Sequence, residues 1–331
     1  MKTVLVTGAG GFLGLALTKL LISKGIKVHA LIRRDNPELS DLGAIIFKGD
    51  LIDYQAIENA AQGCDTVFHV ASKAGVWGAE ADYIASNISG TKHVLEVCFD
   101  LGIPRLIYTS TPSVIFSGQD ENGVNETAPY SAHPLNHYTS TKIAAEKMVL
   151  AANSFELKTT SLRPHLIWGP GDPHLVPRVI NKAKQGRLAL VGKQDKLVDT
   201  VYVDNAALAH YQAAIELENE AKCAGKAYFI SNDEPVTMAD MLNHILSAAH
   251  LPPVNKRVPA SVAYTLGLIL EAVYGLLSIK QEPAMTRFVA RQLSTAHWFD
   301  ISAAKKDFGY LPQVNLKQGM LRLEAWLANK T

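Results

Sequence analysis

The chain has 331 residues, 48% hydrophobic and 19% charged, which excludes a disordered or fibrous protein and is ample for a large core. A formal net charge of +1 argues against a nucleic-acid binder, which would concentrate basic residues. Three widely spaced cysteines, Cys64, Cys98 and Cys223, build neither a disulfide framework nor a metal site. They are expected as small buried hydrophobes of a cytoplasmic protein. The N-terminus runs straight from Met1-Lys2 into an apolar segment and does not read as a signal peptide.

Residues 2–7 form a short β-branched run, and Gly8-Ala9-Gly10-Gly11-Phe12-Leu13-Gly14 follows at once. Residues 15–23 then read as an apolar helix stopped by Lys24-Gly25, so strand, glycine turn and helix make the first half of a βαβ unit. Gly8 permits the tight turn, Gly11 lets a pyrophosphate approach the backbone, and Gly14 lets the helix pack on the strand. The helix start offers free N–H groups and a positive dipole end to phosphates. Gly8, Gly11, Phe12, Leu13 and Gly14 are therefore the expected cofactor contacts.

Residues 28–32 supply the second strand, and what ends it selects the cofactor. An acid there accepts from a ribose 2′-OH and favours NAD, whereas guanidinium groups match a 2′-phosphate. Arg33 and Arg34 stand at that position, with Asp35 as the competitor past the strand, so NADP is favoured over NAD.

The alternation continues with a strand at 44–48 and a turn in which Asp50, with Leu51 beside it, faces the adenine. A helix at 54–61, a strand at 66–70, a long helix at 82–101 carrying Asn87 and a strand at 105–110 follow. A helix at 137–152 and a sixth strand at 159–162 complete an α/β, doubly wound parallel sheet, Rossmann-like in character. Ligands of such sheets lie beyond the carboxyl ends of the strands, where Gly8, Ala71, Ser110-Thr111 and Pro164 fall.

On the 137–152 helix, Tyr138 and Lys142 lie one turn apart on one face. An ammonium there is expected to lower the phenol pKa and make Tyr138 a usable acid or base. With 11 tyrosines in the chain, such a pair arises about once by chance, so it gains meaning only from its place in the sheet.

Beyond Trp168-Gly169-Pro170-Gly171 helices dominate, at 175–185, 205–217, 238–249 and 262–279, with short strands at 200–203 and 227–230. Residues 1–168 read as the dinucleotide-binding domain and 169–331 as a smaller, mostly helical substrate domain, with the chain free to cross between them. The 262–279 stretch is apolar apart from hydroxyls and Glu271. A buried or half-buried helix is the first expectation, ahead of contact with a membrane surface, a long apolar substrate or a partner protein.

Several motifs together are familiar: Thr7-Gly8-x-x-Gly11-x-x-Gly14, Asp50-Leu51, Asn87-x-x-Gly90-Thr91, Tyr108-Thr109-Ser110-Thr111, Tyr138-x-x-x-Lys142 and Arg163-Pro164. In that order they resemble the extended short-chain dehydrogenase/reductase family. Tyr202-Val203-Asp204-Asn205-Ala206 and His297-Trp298-Phe299-Asp300, with Phe308-Gly309-Tyr310, are similar to its 3β-hydroxysteroid dehydrogenase branch. Phe68 to Gly78, Tyr108 to Val114, Leu166 to Asp172 and Lys226 to Asn232 resemble a bacterial group within it, the reductases of 2-alkyl-3-oxoalkanoates in long-chain olefin biosynthesis.

The resemblance implies an NADPH-dependent reduction of a long-chain β-keto acid. Tyr138 would be the catalytic acid, Lys142 its partner on the nicotinamide ribose, and Thr111 the third group, with Ser110 and Ser113 as nearby substitutes. It also implies a cytoplasmic homo-oligomer working beside other olefin-pathway enzymes. Lys73 and His165 are candidates for the substrate carboxylate, and Val76 and Trp77 for its chains. Two alternatives stay open: an NAD(P)-dependent 3β-hydroxysteroid or carboxysterol dehydrogenase, and a non-catalytic dinucleotide-sensing protein.

Overall fold

Seven parallel strands form the central sheet, one more than the alternation predicts. The structure, a computed structural model, describes residues 1–330. The strands are β1 (Thr3–Thr7), β2 (Lys27–Ile32), β3 (Ile45–Lys48), β4 (Thr66–His69), β5 (Arg105–Thr109), β6 (Lys158–Pro164) and β7 (Lys226–Ile230). Their spatial order is β7-β6-β5-β4-β1-β2-β3, and every neighbouring pair is parallel. Both faces are covered, so the middle strands are apolar throughout: Val4, Leu5 and Val6 are fully buried in β1. β7 is the unexpected member. It was read as a short strand of the second domain, but its Tyr228, Phe229 and Ile230 are buried beside β6 and complete the sheet.

The order reverses between β1 and β4, and that crevice is where such a sheet takes its ligand. Helix α1 (Phe12–Ser23) begins three residues earlier than expected, directly at the glycine turn. Helices α2 (His137–Ala151) and α3 (Val203–Glu218) pack on opposite faces, α3 within one apolar cluster and α2 mainly through Ala145 and Val149 in another, with its Ile143 reaching the first.

The long helix expected at 82–101 is not regular. It starts at Glu80 and is broken at Ile84–Ser89 by a π-helical turn, an extra-residue bulge that sits at functional sites more often than elsewhere. Asn87 lies in that turn. Its amide accepts from Lys73 N (2.7 Å) and donates to Lys73 O (3.1 Å) and Thr141 Oγ1 (3.1 Å), tying this helix to α2 and to the segment after β4.

A second sheet pairs Val236–Thr237, Leu197–Val198, His297–Phe299 and Glu121–Val124. Strands of two to four residues with distant partners carry no readable periodicity, which is why most of this sheet escapes a sequence reading. A third cluster, centred on Trp168, Tyr202 and Ile245, holds the C-terminal helices together. Helix α4 (Ala260–Leu276) takes the half-buried form of that expectation: Ala263 and Gly267 are buried, Ala260, Tyr264, Leu270, Glu271 and Tyr274 are half-buried, and the other ten residues are exposed.

Candidate active site

A cleft of about 790 Å³ opens at the carboxyl ends of the strands, and every residue expected to touch the cofactor lines it, together with Ser110 and Thr111. At its centre is the glycine turn. Gly8 adopts φ +68°, and a Cβ there would stand 2.8 Å from Ala71 Cα across the crevice. A Cβ on Gly14 would meet Gly8 O at 2.1 Å, so any side chain would lift α1 off β1. No side chain caps α1, and the N–H groups of its first turn are left for a ligand in the cleft. A dinucleotide pyrophosphate fits that cradle, since it needs close backbone approach and unpaired donors.

At one end of the cleft the β2 terminus presents Arg33 and Arg34, both exposed. Arg33 makes only a long ion pair, Nη1 to Asp50 Oδ2 at 3.4 Å, and its guanidinium stays accessible. Asp35 also lines the cleft, and Lys48 on β3 holds its carboxylate at 2.7 Å. Leu51 is buried beneath, its side chain against Gly90.

At the other end lie Ser110, Thr111, Tyr138, Lys142 and Pro164. Asn136 caps α2 by accepting from Thr139 N (2.8 Å), which starts the helix just before Tyr138. Tyr138, Lys142 and Glu146 follow at intervals of four on one face. Lys142 is 1% exposed; its Nζ donates to Thr109 O (2.6 Å) and lies 4.1 Å from the Tyr108 ring centre. Burial nevertheless pushes it down to about 7, with the Glu146 carboxylate pulling the other way. Glu146 forms a buried ion pair with Arg163 of β6 (2.6 Å) and accepts from Ser161 Oγ (2.8 Å). That pair fixes the register of α2 against the sheet.

The expected lowering of the Tyr138 phenol by Lys142 does not occur in this geometry. Burial of the phenol pushes it up to about 12, and the neighbour that draws it down is the Thr111 hydroxyl. The ammonium of Lys142 is committed to Thr109 O and the Tyr108 ring and is itself weakened by burial.

Thr111 also caps a short turn, accepting from Ser113 N (3.2 Å) and donating to Ser113 Oγ (3.2 Å). Ser110 Oγ is buried without a hydrogen-bond partner; it lies near enough to the Glu146 carboxylate to lower its pKa but outside hydrogen-bond geometry. Ser113 does not line the cleft. Neither candidate for a carboxylate partner is free: Lys73 Nζ reaches Asp82 (3.2 Å), and His165 is 5% exposed with Nε2 at 2.7 Å from His297 Nδ1. Missed altogether was the far lip, where Asp172 accepts from His174 N (2.7 Å) and Val176 N (2.8 Å) and leaves the exposed His174 side chain at the cleft edge. The Gly-Asp-Pro-His run at 171–174 carried the signal, an Asx-type turn before a helix.

A glycine cradle at the switch point of a parallel sheet, with a Tyr-x-x-x-Lys helix facing a strand-end threonine, defines an oxidoreductase of the extended short-chain dehydrogenase/reductase class. The profile of the 3-beta hydroxysteroid dehydrogenase/isomerase family matches residues 5–258, and the chain belongs to that family. A 2-alkyl-3-oxoalkanoate reductase of Shewanella oneidensis is 56% identical over 97% of this chain and 85% of its own length. Another, from Stenotrophomonas maltophilia, is 48% identical over 97% and 98%. A mouse sterol-4-alpha-carboxylate 3-dehydrogenase (decarboxylating) is 35% identical over 97% and 90%. Among solved structures, that of gox2253 superposes with a TM-score of 0.81 at 26% identity, over 100% of this chain and 99% of its own.

Proposed function

We propose that this enzyme reduces the 3-oxo group of 2-alkyl-3-oxoalkanoic acids to the 3-hydroxy acids, with NADPH as its cofactor. The observation that carries the reading is the meeting of Tyr138 and Thr111 at the inner end of a cleft built around the glycine cradle, in a chain so similar to two reductases of that name. A bound nicotinamide supplies the hydride that the carbonyl carbon accepts. Thr111 donates a hydrogen bond to the ketone oxygen as negative charge develops there, with Ser110 beside it. Tyr138 then gives its proton to that oxygen, so C=O becomes CH–OH, and solvent restores the phenol. A phenol held near 12 keeps its proton at neutral pH, which suits donation to a ketone rather than removal of a proton from an alcohol. Lys142, one turn from Tyr138 on the same helix face, would hold the ribose hydroxyls and through them the nicotinamide ring that gives up the hydride.

Arg33 and Arg34 support the preference for NADPH, and Lys48 occupies the one acid, Asp35, that would bind a ribose 2′-OH. Replacing both arginines with serine should raise the KM for NADPH by roughly ten- to a hundredfold and leave that for NADH nearly unchanged. We further place the enzyme in the cytoplasm as a homo-oligomer, receiving its β-keto acid from a condensing enzyme and passing the hydroxy acid onward in olefin formation.

The test is a parallel screen of NADPH and NADH oxidation with a 2-alkyl-3-oxoalkanoic acid and a 3-keto sterol acid. Turnover of the first with NADPH supports the reading. Preference for the sterol acid would move the assignment to the carboxysterol dehydrogenases, which the 35% identity to the mouse enzyme keeps as the second reading. Tight NADPH binding without turnover of any ketone would favour a non-catalytic sensor.

A further inference from the structure

β6 ends at Pro164, and within a few residues the chain leaves the main sheet for a smaller one. His165 N makes the last bond to the main sheet, at Ile230 O (3.1 Å), and Ile167–Trp168 already pairs with Val201–Tyr202. Leu166 is the corner between the two sheets, and its φ is +42°. Glycine or asparagine adopts that left-handed conformation easily, whereas a leucine Cβ crowds the following carbonyl. The other non-glycine residues with positive φ are Ala221, Asp233, His250 and Ser278, and none of them lines the cleft. His250 and Ser278 stand just past the ends of the Met238–Ala248 helix and α4, where such a conformation commonly stops a helix. Leu166 stops no helix, and it lines the cleft.

The corner does not need this side chain. It is held on both sides by others: the buried His165 ring meets His297 and stands edge-on to Phe299, and Trp168 Nε1 donates to Thr200 Oγ1 (3.0 Å). Leu166 adds only a backbone carbonyl, which accepts from Val201 N at 3.4 Å. The core does not need it either. Ile167 packs on two of the buried apolar clusters, and Leu166 belongs to none of them. A strained, half-buried leucine that builds neither the turn nor the core is kept for what enters the cleft.

Strand order shows what it meets there. Across β6-β5-β4 the cleft receives Leu166 after β6, Ser110 and Thr111 after β5, and Ala71, Ser72 and Ala74 after β4. Thr111, the proposed ketone contact, therefore has a large apolar residue on one flank and small residues on the other. That difference orients a ketone whose two substituents are unlike. An apolar group sheds water against the leucine, and a carboxylate, which a leucine cannot hydrogen-bond, turns away from it.

We propose that Leu166 is a specificity-determining residue: it packs against an apolar substituent on the carbon next to the ketone and so selects substrates branched there. In the function proposed above, on which this rests, that substituent is the 2-alkyl chain.

The test is steady-state reduction, with NADPH, of a 2-alkyl-3-oxo acid and of the same acid without its 2-alkyl chain. Leu166→Gly and Leu166→Asn should lower the ratio of kcat/KM, branched over unbranched, by about tenfold or more, as expected for several lost methylene contacts. Leu166→Met, of similar volume, should restore most of that ratio. The NADPH dissociation constant should stay within about twofold in all three variants. Leu166→Asn should also melt no lower than wild type, because asparagine takes the corner with less strain. An unchanged ratio overturns the proposal. So does an equal loss on both acids with weaker NADPH binding, which makes Leu166 a support for the nicotinamide. A fall in Tm of more than about 5 °C in Leu166→Asn overturns it too, by showing that the side chain is core. If the wild-type enzyme reduces a 3-keto sterol acid and neither 3-oxo acid, the reaction proposed above fails separately. A loss of about tenfold on the sterol acid in Leu166→Gly, with NADPH binding intact, then supports the contact with an apolar group beside the ketone, and no loss overturns it.

Discussion

Helices α2 and α4 invert each other. α2 carries Lys142 and Glu146, and both are buried; α4 is almost entirely apolar, and most of it faces outward. Each reverses the ordinary preference of its residues, charged groups being rarely buried unless paired and large apolar stripes being rarely exposed. A fold tolerates such reversals where something other than stability requires them. In α2 the requirement we propose is a proton donor held beside the cleft, and α4 keeps an exposed apolar stripe.

The largest effect should come from the reacting group of α2. Tyr138→Phe is expected to lower kcat by about three orders of magnitude while the cofactor dissociation constant stays nearly constant, measured by turnover and by fluorescence titration. Near-normal turnover would remove α2 from the chemistry. Next is the ion pair beneath it: Glu146→Ala leaves Arg163 buried and uncompensated and should cost about 3–5 kcal/mol in denaturant unfolding. If the loss is under about 1 kcal/mol, the pair does not hold the helix.

A smaller and pH-dependent effect attaches to Lys142. Its folded value, about 7, lies below its unfolded value of 10.5. Below pH 7 the lysine is charged in both states, and folding bears the whole cost of burying an ammonium. As pH rises from 7 towards 10.5 the unfolded chain binds more protons than the folded one, so stability increases and the cost fades. Lys142→Met should therefore raise the Tm of the cofactor-free protein, most below pH 7 and least near 10.5. A gain independent of pH would mean that the ammonium is not penalised there. The smallest effect belongs to α4: Ile269→Gln should change unfolding free energy by less than about 0.5 kcal/mol, because that side chain is 54% exposed. A cost of several kcal/mol would show that the stripe is core after all.

The same inversion explains what could be read from the sequence. The glycine turn, the alternating strands and helices, and the Tyr-x-x-x-Lys spacing are local patterns, and each residue chosen from them lines one cleft. β7 was misplaced because its Lys-Ala-Tyr-Phe-Ile run says strand without saying which sheet. The state of Tyr138 was misjudged for a related reason. Spacing puts Lys142 one turn away, but the carbonyl of Thr109 and the ring of Tyr108, brought in by β5, decide where its ammonium points. His165 looked available for an anion until His297, far along the chain, took its nitrogen. For α4 the sequence allowed a buried or a half-buried helix, and hydropathy could not choose between them because it reports what a residue prefers and not what covers it.

The placing of β7 also governs how the chain is made. Residue 230 must leave the ribosome before β6 has its outer neighbour, so a nascent chain that ends near residue 168 displays Leu162 and Arg163 on an open parallel edge. The cofactor-binding half therefore cannot finish first and wait for the rest. Its last sheet contact is closed by the half synthesised later, and during the interval the exposed edge is the part of the molecule most in need of a chaperone.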